Sequence, residues 1–404
     1  MNARATRFPL FDSLRALAAL AIFGTHAYYV LENNGPGPLR QYAARLDVGV
    51  FVFFAISGFL LYRPFVRARL RDGAAPAAIA YGWRRLLRIG PAYWVALTIV
   101  AAWLGESYVA EPANTVRLYL FGQSYWPHLA IGGLTQAWSL SVEAAFYVFL
   151  PLYALGMRSL PARTGSGRLR GELAGLAALV AIGFGFTALA SENGLLTSGL
   201  KGFPLHVTLA CYTQVFAVGM WMAVLSVWYE DRELPVWLRP LDRFPALGWG
   251  LAVVAFWAVS TQVGLDGKSG QIPTTGQYVA RSALYGVVAL GLVAPAVFGD
   301  QARGLVRRLL ANRVLLWIGL VSYSFFLYHL VVVTEVNKWG LGGAAVPGLV
   351  ALVISLAIAA ASYYAIERPA LRLKGLVKGG PEPAPTEAIA EPAPAAPPRV
   401  THAG

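Results

Sequence analysis

The chain has 404 residues, 57% of them hydrophobic and only 13% charged, with a formal net charge of +13 and a single cysteine, Cys211. A soluble globular domain carries about twice that charged fraction; a mean hydropathy of +0.55, with repeated apolar runs of about 20 residues, describes a polytopic membrane protein. The positive charge does not point to nucleic acid, because the basic residues stand in short clusters between apolar runs, and one cysteine excludes an intramolecular disulfide framework or a cysteine-paired metal site.

In chain order, about ten spans of an all-α membrane protein are expected, at 8–31, 46–66, 86–104, 138–157, 172–190, 205–228, 245–264, 279–299, 314–337 and 344–366. Met1 to Pro9 leads directly into the first span without an A-x-A site, so no cleaved signal peptide is expected. Alternate connections are rich in basic residues: Arg4 and Arg7; Arg67, Arg69, Arg71, Arg84 and Arg85; Arg158, Arg163, Arg168 and Arg170. The series continues with Arg232, Arg239 and Arg243; Arg303, Arg307, Arg308 and Arg313; Arg368, Arg372, Lys374 and Lys378. The opposite connections hold only Arg40 and Arg45, then Arg117, Lys201, Lys268 and Lys338. This alternation predicts an even number of spans with both termini cytoplasmic. From about Gly379 the chain is dominated by Pro and Ala with no apolar face. Residues 379–404 are therefore expected to be a disordered tail after one transmembrane domain, 1–378, and His402 in that tail is assigned no chemistry. Gly and Pro interruptions do not recur at matching places in two halves, which weakens an inverted-repeat transporter.

Ionisable residues inside the spans are the informative exceptions, since each makes insertion less favourable. The first span, LFDSLRALAALAIFGTHAYYV, holds Asp12, Arg15 and His26. His26 comes eleven positions after Arg15, about three turns, so they share a face roughly 16 Å apart along the axis, and Asp12 lies one turn before Arg15, where an ion pair is allowed. Arg15 alone reads equally well as a cation reaching the headgroups. His26, in the outer half, is the default proton acceptor. The fourth span opens with QAWSLSVEAAFYVFLPL; it brings Glu143 about 8 Å below its outer end, with Ser139 one turn earlier on the same face. The ninth carries VSYSFFLYHLVVV and puts His329 in the outer half as well. Ser57 and Gly58 in the second span read as a close helix contact.

The third span is entered through YGWRRLLRIGPAYW. Arg85 and Arg88 share one helix face, and Arg84 and Arg88 another. Such a cluster suits phosphate through bidentate, charge-assisted bonds, although positive-inside clusters are also common there. A base in the outer half and a phosphate-ready cluster at the cytosolic face call for a donor with a charged head and a long arm. Coenzyme A thioesters have that shape.

These motifs resemble the acyltransferase-3 family of membrane acyltransferases, which includes polysaccharide O-acetylases and antibiotic acyltransferases. The likeness runs from about Phe8 to Pro369. It rests on Arg15 and His26 with ten residues between them; GVFVFFAISGF, Gly49 to Phe59; RLLR, Arg85 to Arg88; WSLSVEAAFY, Trp138 to Tyr147; SYSFFLYH, Ser322 to His329; and IERP, Ile366 to Pro369. The resemblance implies transfer of an acyl group, commonly acetyl, from acyl-CoA to a hydroxyl of a glycan, glycolipid or glycosylated small molecule, in the inner (plasma) membrane and without a metal. It implies His26 as the catalytic histidine with Glu143 at the catalytic site, and Arg15, Arg85 and Arg88 on the donor side. Ser139, Tyr323 and His329 would bind substrate or orient the site. Two positions depart from the family pattern: Phe51 where Asp is frequent, and Phe326 where a second Tyr is frequent.

Direct transfer through a ternary complex is expected, His26 taking the proton of the acceptor hydroxyl as it attacks the thioester. The separation of Arg15 from His26 argues for a donor-binding or structural role for Arg15 rather than an oxyanion contact. Cys211 reads as a packed thiol. Oligomeric state is left open. A proton-coupled transporter using Arg15, His26, Glu143 and His329 as its path is the competing expectation.

Overall fold

The computed structural model describes residues 8, 10–31, 39–104, 111–126, 128–130, 132–162, 164–192, 207–265, 267, 273–299 and 304–377. Arg4, Arg7, Arg163, Lys201, Lys268, Arg303, Lys378 and the whole 379–404 tail with His402 lie outside them. Every regular element among the described residues is helical. In order these are α1 (Leu10–Leu31), α2 (Arg40–Ala43), α3 (Val48–Leu70), α4 (Ala78–Leu104), α5 (Pro112–Tyr119), α6 (Trp138–Ser159), α7 (Gly165–Glu192) and α8 (Thr213–Trp228). They continue with α9 (Arg239–Arg243), α10 (Ala246–Thr261), α11 (Thr275–Val297), α12 (Leu305–Leu310), α13 (Arg313–Asn337), α14 (Ala345–Ser362), a π-helical turn over Tyr363–Glu367, and α15 (Arg368–Arg372).

Eight of these are long and apolar enough to cross a membrane: α1, α3, α4, α6, α7, α11, α13 and α14. The sixth and seventh expected spans correspond to α8 and α10, apolar helices of 16 residues each. They reach about 24 Å, short of the roughly 30 Å hydrocarbon core. The chain is thus an all-α polytopic membrane protein, with eight full-length helices and two shorter ones among the described residues.

Small residues set the closest crossings. α3 and α8 pack parallel: a Cβ on Gly58 would lie 2.3 Å from the Phe216 carbonyl oxygen, and one on Gly219 would lie 1.9 Å from that of Ala55. The close contact expected at Gly58 is present. α13 lies parallel to α1 because Gly319 lets its backbone approach the Asp12 carbonyl, where a Cβ would be 1.9 Å away. That parallel register brings the far ends of α1 and α13, with His26 and His329, side by side. The start of α11 is held by a capping box between Thr274 and Gln277, and that of α13 by the Asn312 side chain accepting from the Val314 amide at 2.7 Å, satisfying otherwise orphaned donors.

The two ends of the bundle differ in charge. At the basic end, several arginines are tied into the fold rather than free at its surface. Arg69 bonds Glu172 at 2.8 Å, where Tyr62 also donates its hydroxyl. Arg307, 1% exposed, donates to the Pro295 and Phe298 carbonyls at 2.8 Å each. Helices α4 and α7 start at Ala78 and Gly165, well before the expected 86 and 172, because these arginine-bearing turns stay helical beyond the apolar run.

Candidate active site

α1, α3, α4, α6 and α13 enclose a cavity of about 200 Å³ that opens at the basic end. Its mouth is lined by Arg63, Arg84, Arg85 and Lys374, its middle by Arg15, Arg88, Ser57, Glu143 and Tyr147, and its inner end by Val50, Phe53, Phe54, Ser139, Leu140 and Phe326. Charge therefore gives way to apolar surface along its length.

Arg15 bonds Asp12 at 3.0 Å, the pair that one-turn spacing allowed. Glu143 accepts the hydroxyls of Ser57 and Tyr147, each at 2.8 Å. Ser57, read from sequence only as packing, thus supplies a bond to the one carboxylate of α6. Ser139 lines the cavity and gives its hydroxyl proton to the Gln136 carbonyl at 3.1 Å. Tyr323 donates to the Ile89 carbonyl at 2.6 Å, fastening α13 to α4.

The members of the arginine cluster have different surroundings. Arg88 is ion-paired with Glu367, which is fully buried and also accepts from Ser324 at 3.2 Å; its guanidinium lies 5.8 Å from the Tyr323 ring. Glu367 closes the π-helical turn, a local widening that often accompanies functional sites. Arg85 lies over Tyr147, 5.9 Å from the ring centre, and makes no ion pair among the described residues. Arg85 and Arg84 face the mouth, while Arg88 is a braced wall of the cavity.

His26 and His329 meet one turn beyond the cavity's inner end. His26 Nδ1 lies 2.7 Å from His329 Nε2. His329 is fully buried, and its Nδ1 lies 2.8 Å from the Phe326 carbonyl and 3.2 Å from that of Phe325. A carbonyl only accepts, so His329 Nδ1 bears a proton. In the neutral ring its Nε2 then accepts from His26 Nδ1–H, and His26 Nε2 is left unprotonated. The tautomers are assigned from this bonding pattern. Gln136 donates to the Phe326 and Leu327 carbonyls at 3.2 and 2.7 Å, pinning the backbone that orients His329. The Phe326 ring lines the cavity and sits 5.8 Å from the His329 ring, so it is the partition between cavity and histidine pair. Glu143, expected near the outer end of its span as the histidines are of theirs, has no hydrogen bond to either among the described residues; its partners belong to the cavity.

At the opposite end from the basic mouth, Asp47 ion-pairs with Arg281 and accepts from Tyr285. Phe51, at the position where Asp is frequent, packs its ring 4.8 Å from that of Tyr285; the carboxylate on this side is Asp47, one turn earlier. Sequence reasoning missed Gln136, Asp47, Arg281, Tyr285 and Glu367. Arg281 carried the same signal as Arg15, a charge inside an expected span. Among the described residues no group of three or more His, Cys, Asp or Glu could hold a metal ion.

Residues 9–365 match the model of the acyltransferase domain family, and the chain belongs to that family. A Streptomyces mycarofaciens protein named acyltransferase MdmB is 27% identical over 96% of this chain and 98% of its own. Nodulation protein 10 of Rhizobium leguminosarum bv. viciae is 26% identical over 90% and 93%. A Staphylococcus aureus (strain COL) protein, named by assignment an O-acetyltransferase, is 23% identical over 89% of this chain and 57% of its own. No solved structure matches. The chain is a multi-pass membrane O-acyltransferase.

Proposed function

We propose that this protein moves an acyl group, most simply acetyl, from acyl-CoA to a hydroxyl of a glycan, glycolipid or glycosylated small molecule of the cell envelope. By the positive-inside rule the basic mouth faces the cytosol of the plasma membrane. Arg84, Arg85 and Lys374 then meet the nucleotide phosphates, where guanidinium forks suit bidentate contact. The arm of the donor follows the cavity past Arg15, Glu143 and Tyr147, and the acyl thioester comes to rest in the apolar end beside Phe326. Glu143 orders Ser57 and Tyr147 along the arm, and Arg88, braced by Glu367, holds the wall.

The observation that carries this reading is the His26–His329 bond at 2.7 Å with His329 Nδ1 committed to backbone carbonyls. It leaves His26 Nε2 with a free lone pair, held in one orientation as the partner of a buried ring, the arrangement a general base requires. His26 Nε2 takes the acceptor hydroxyl proton as its oxygen bonds to the thioester carbonyl carbon. The tetrahedral centre collapses, the carbon–sulfur bond breaks, and the CoA thiolate leaves with the proton returned from His26. Ester and free thiol are the products.

Turnover of radiolabelled acetyl-CoA by the full chain in nanodiscs, with an envelope extract as acceptor source, tests this. Label should enter extract glycans with wild type and fall by about 10² to 10⁴ with His26→Ala. Unchanged transfer in His26→Ala would remove His26 as the base; movement of substrate across the membrane without thioester cleavage would favour the carrier reading.

A further inference from the structure

Arg45, two residues before Asp47 at the end opposite the basic mouth, is 7% exposed. Its Nε is enclosed without a hydrogen-bond partner, and its guanidinium makes no hydrogen bond or ion pair among the described residues. The adjacent carboxylate is already taken, since Arg281 pairs with Asp47 and Tyr285 donates to it. Tyr285 also donates to the Arg45 carbonyl at 3.2 Å. α11 therefore fixes the backbone of Arg45 and leaves the side chain uncommitted.

The place of this cation is informative. Leu46, the residue after Arg45, packs against Gly24, two residues before His26: a Cβ on Gly24 would lie 2.8 Å from its side chain. The backbone at Arg45 therefore passes beside the end of α1 that carries His26, beyond Phe326 from the donor cavity. An enclosed guanidinium without a counter-charge of its own is unfavourable, and a bound anion would relieve that. A guanidinium offers five donors in a planar fork that matches a carboxylate or phosphoryl group.

We propose that Arg45 anchors the acceptor: it binds a carboxylate or phosphoryl group on the acceptor molecule and so presents that molecule's hydroxyl to His26. This rests on His26 being the base, and it makes the preferred acceptors acidic or phosphorylated glycosides rather than neutral ones. An anionic lipid headgroup offers the same chemistry and is separated from the acceptor in the test.

The full chain in phosphatidylcholine nanodiscs would be given methyl glucuronide or methyl glucoside, matched acceptors that differ in one carboxylate. Thermal unfolding reports binding and radiolabelled acetyl-CoA reports transfer. Wild type should prefer the glucuronide in kcat/KM, and Arg45→Gln should lower that preference about tenfold to a hundredfold, the size of a lost hydrogen bond to a charged group. Arg45→Lys should restore part of it. Without ligand, Arg45→Gln should unfold no earlier than wild type, since no tie is lost, and the glucuronide should raise the unfolding temperature of wild type alone. Earlier unfolding of ligand-free Arg45→Gln would make Arg45 a structural tie and overturn the proposal. So would equal use of the two glycosides by wild type, or stabilisation by added phosphatidylglycerol through Arg45 with no acceptor preference. Glucuronide bound through Arg45 but never acylated would uphold the anchor and sink the reading of His26.

Discussion

On the proposed reading, His329 serves the chemistry through His26. Its Nδ1 is spent on the Phe326 and Phe325 carbonyls, so its remaining nitrogen can do one thing, which is to accept from His26. His329→Ala should therefore lower kcat about 10- to 100-fold, as losses of an orienting partner do, with the donor KM unchanged; a rise in KM alone would contradict this. Phe326 governs what can lie against the pair. Shortening it to Ala enlarges the apolar end of the cavity, and the preference for acetyl over butyryl donors should relax by about tenfold or more, since each methylene is worth roughly 10- to 200-fold in such a pocket. Competition between acetyl-CoA and butyryl-CoA in single-pot turnover reads that ratio. Pairs one helical turn apart, such as Asp12 and Arg15, are legible in the sequence alone. His26 and His329, 303 positions apart, and Ser57 and Glu143, 86 apart, are not. A 3.6-residue period says which face a side chain occupies and nothing of which helix it meets.

Among the elements, the α3–α8 crossing sets how tightly the cavity wall is held. Gly219→Ala drives a Cβ to 1.9 Å from the Ala55 carbonyl, and overpacking of this kind destabilises by about 1–3 kcal/mol. Gly156, in α6, has nothing within 4 Å of such a Cβ, so Gly156→Ala should be neutral or stabilising by about 0.5–1 kcal/mol through helix propensity. Unfolding temperatures of the two variants in one detergent distinguish them: Gly219→Ala falls and Gly156→Ala does not. Hydropathy located the long helices because apolar side chains face both lipid and core. It set the starts of α4 and α7 too late because helix geometry continues past the hydrocarbon, where arginines such as Arg69 find buried carboxylates. The π-helical turn had no hydropathy signature at all; only the IERP motif drew attention to the stretch.

For the whole molecule, the arrangement separates a charged entrance from a polar site at the far end, with one aromatic ring between them. Donor recognition should then be electrostatic and one-sided. Arg85→Gln should raise the acyl-CoA KM by about tenfold with little change in kcat, and the wild-type KM should rise between about 50 and 300 mM salt as exposed charges are screened. In proteoliposomes, acyl-CoA should be consumed only when supplied on the side of the basic mouth. Salt-independent KM values, or consumption from both sides, would contradict that polarity. The alternation of basic residues along the chain anticipated two unlike ends. It did not anticipate that Arg88 and Arg307 are interior braces, because a count of charges cannot separate a solvated guanidinium from one enclosed by carbonyls and carboxylates.

α10 adds a consequence for the surrounding lipid. Leu247, Leu251, Val253, Val254 and Trp257 leave its outward side exposed, yet its 16 residues fall about 6 Å short of an average hydrocarbon thickness. Its neighbour α11, with 23 residues, is long enough by itself. Acyl chains packed against α10 must compress while those around the rest of the perimeter stay relaxed, at fractions of a kcal/mol per ångström. The bilayer is accordingly expected to thin on one flank, beside the helix that carries Arg281. Thick, sterol-like bilayers would oppose that dent and thin ones would welcome it.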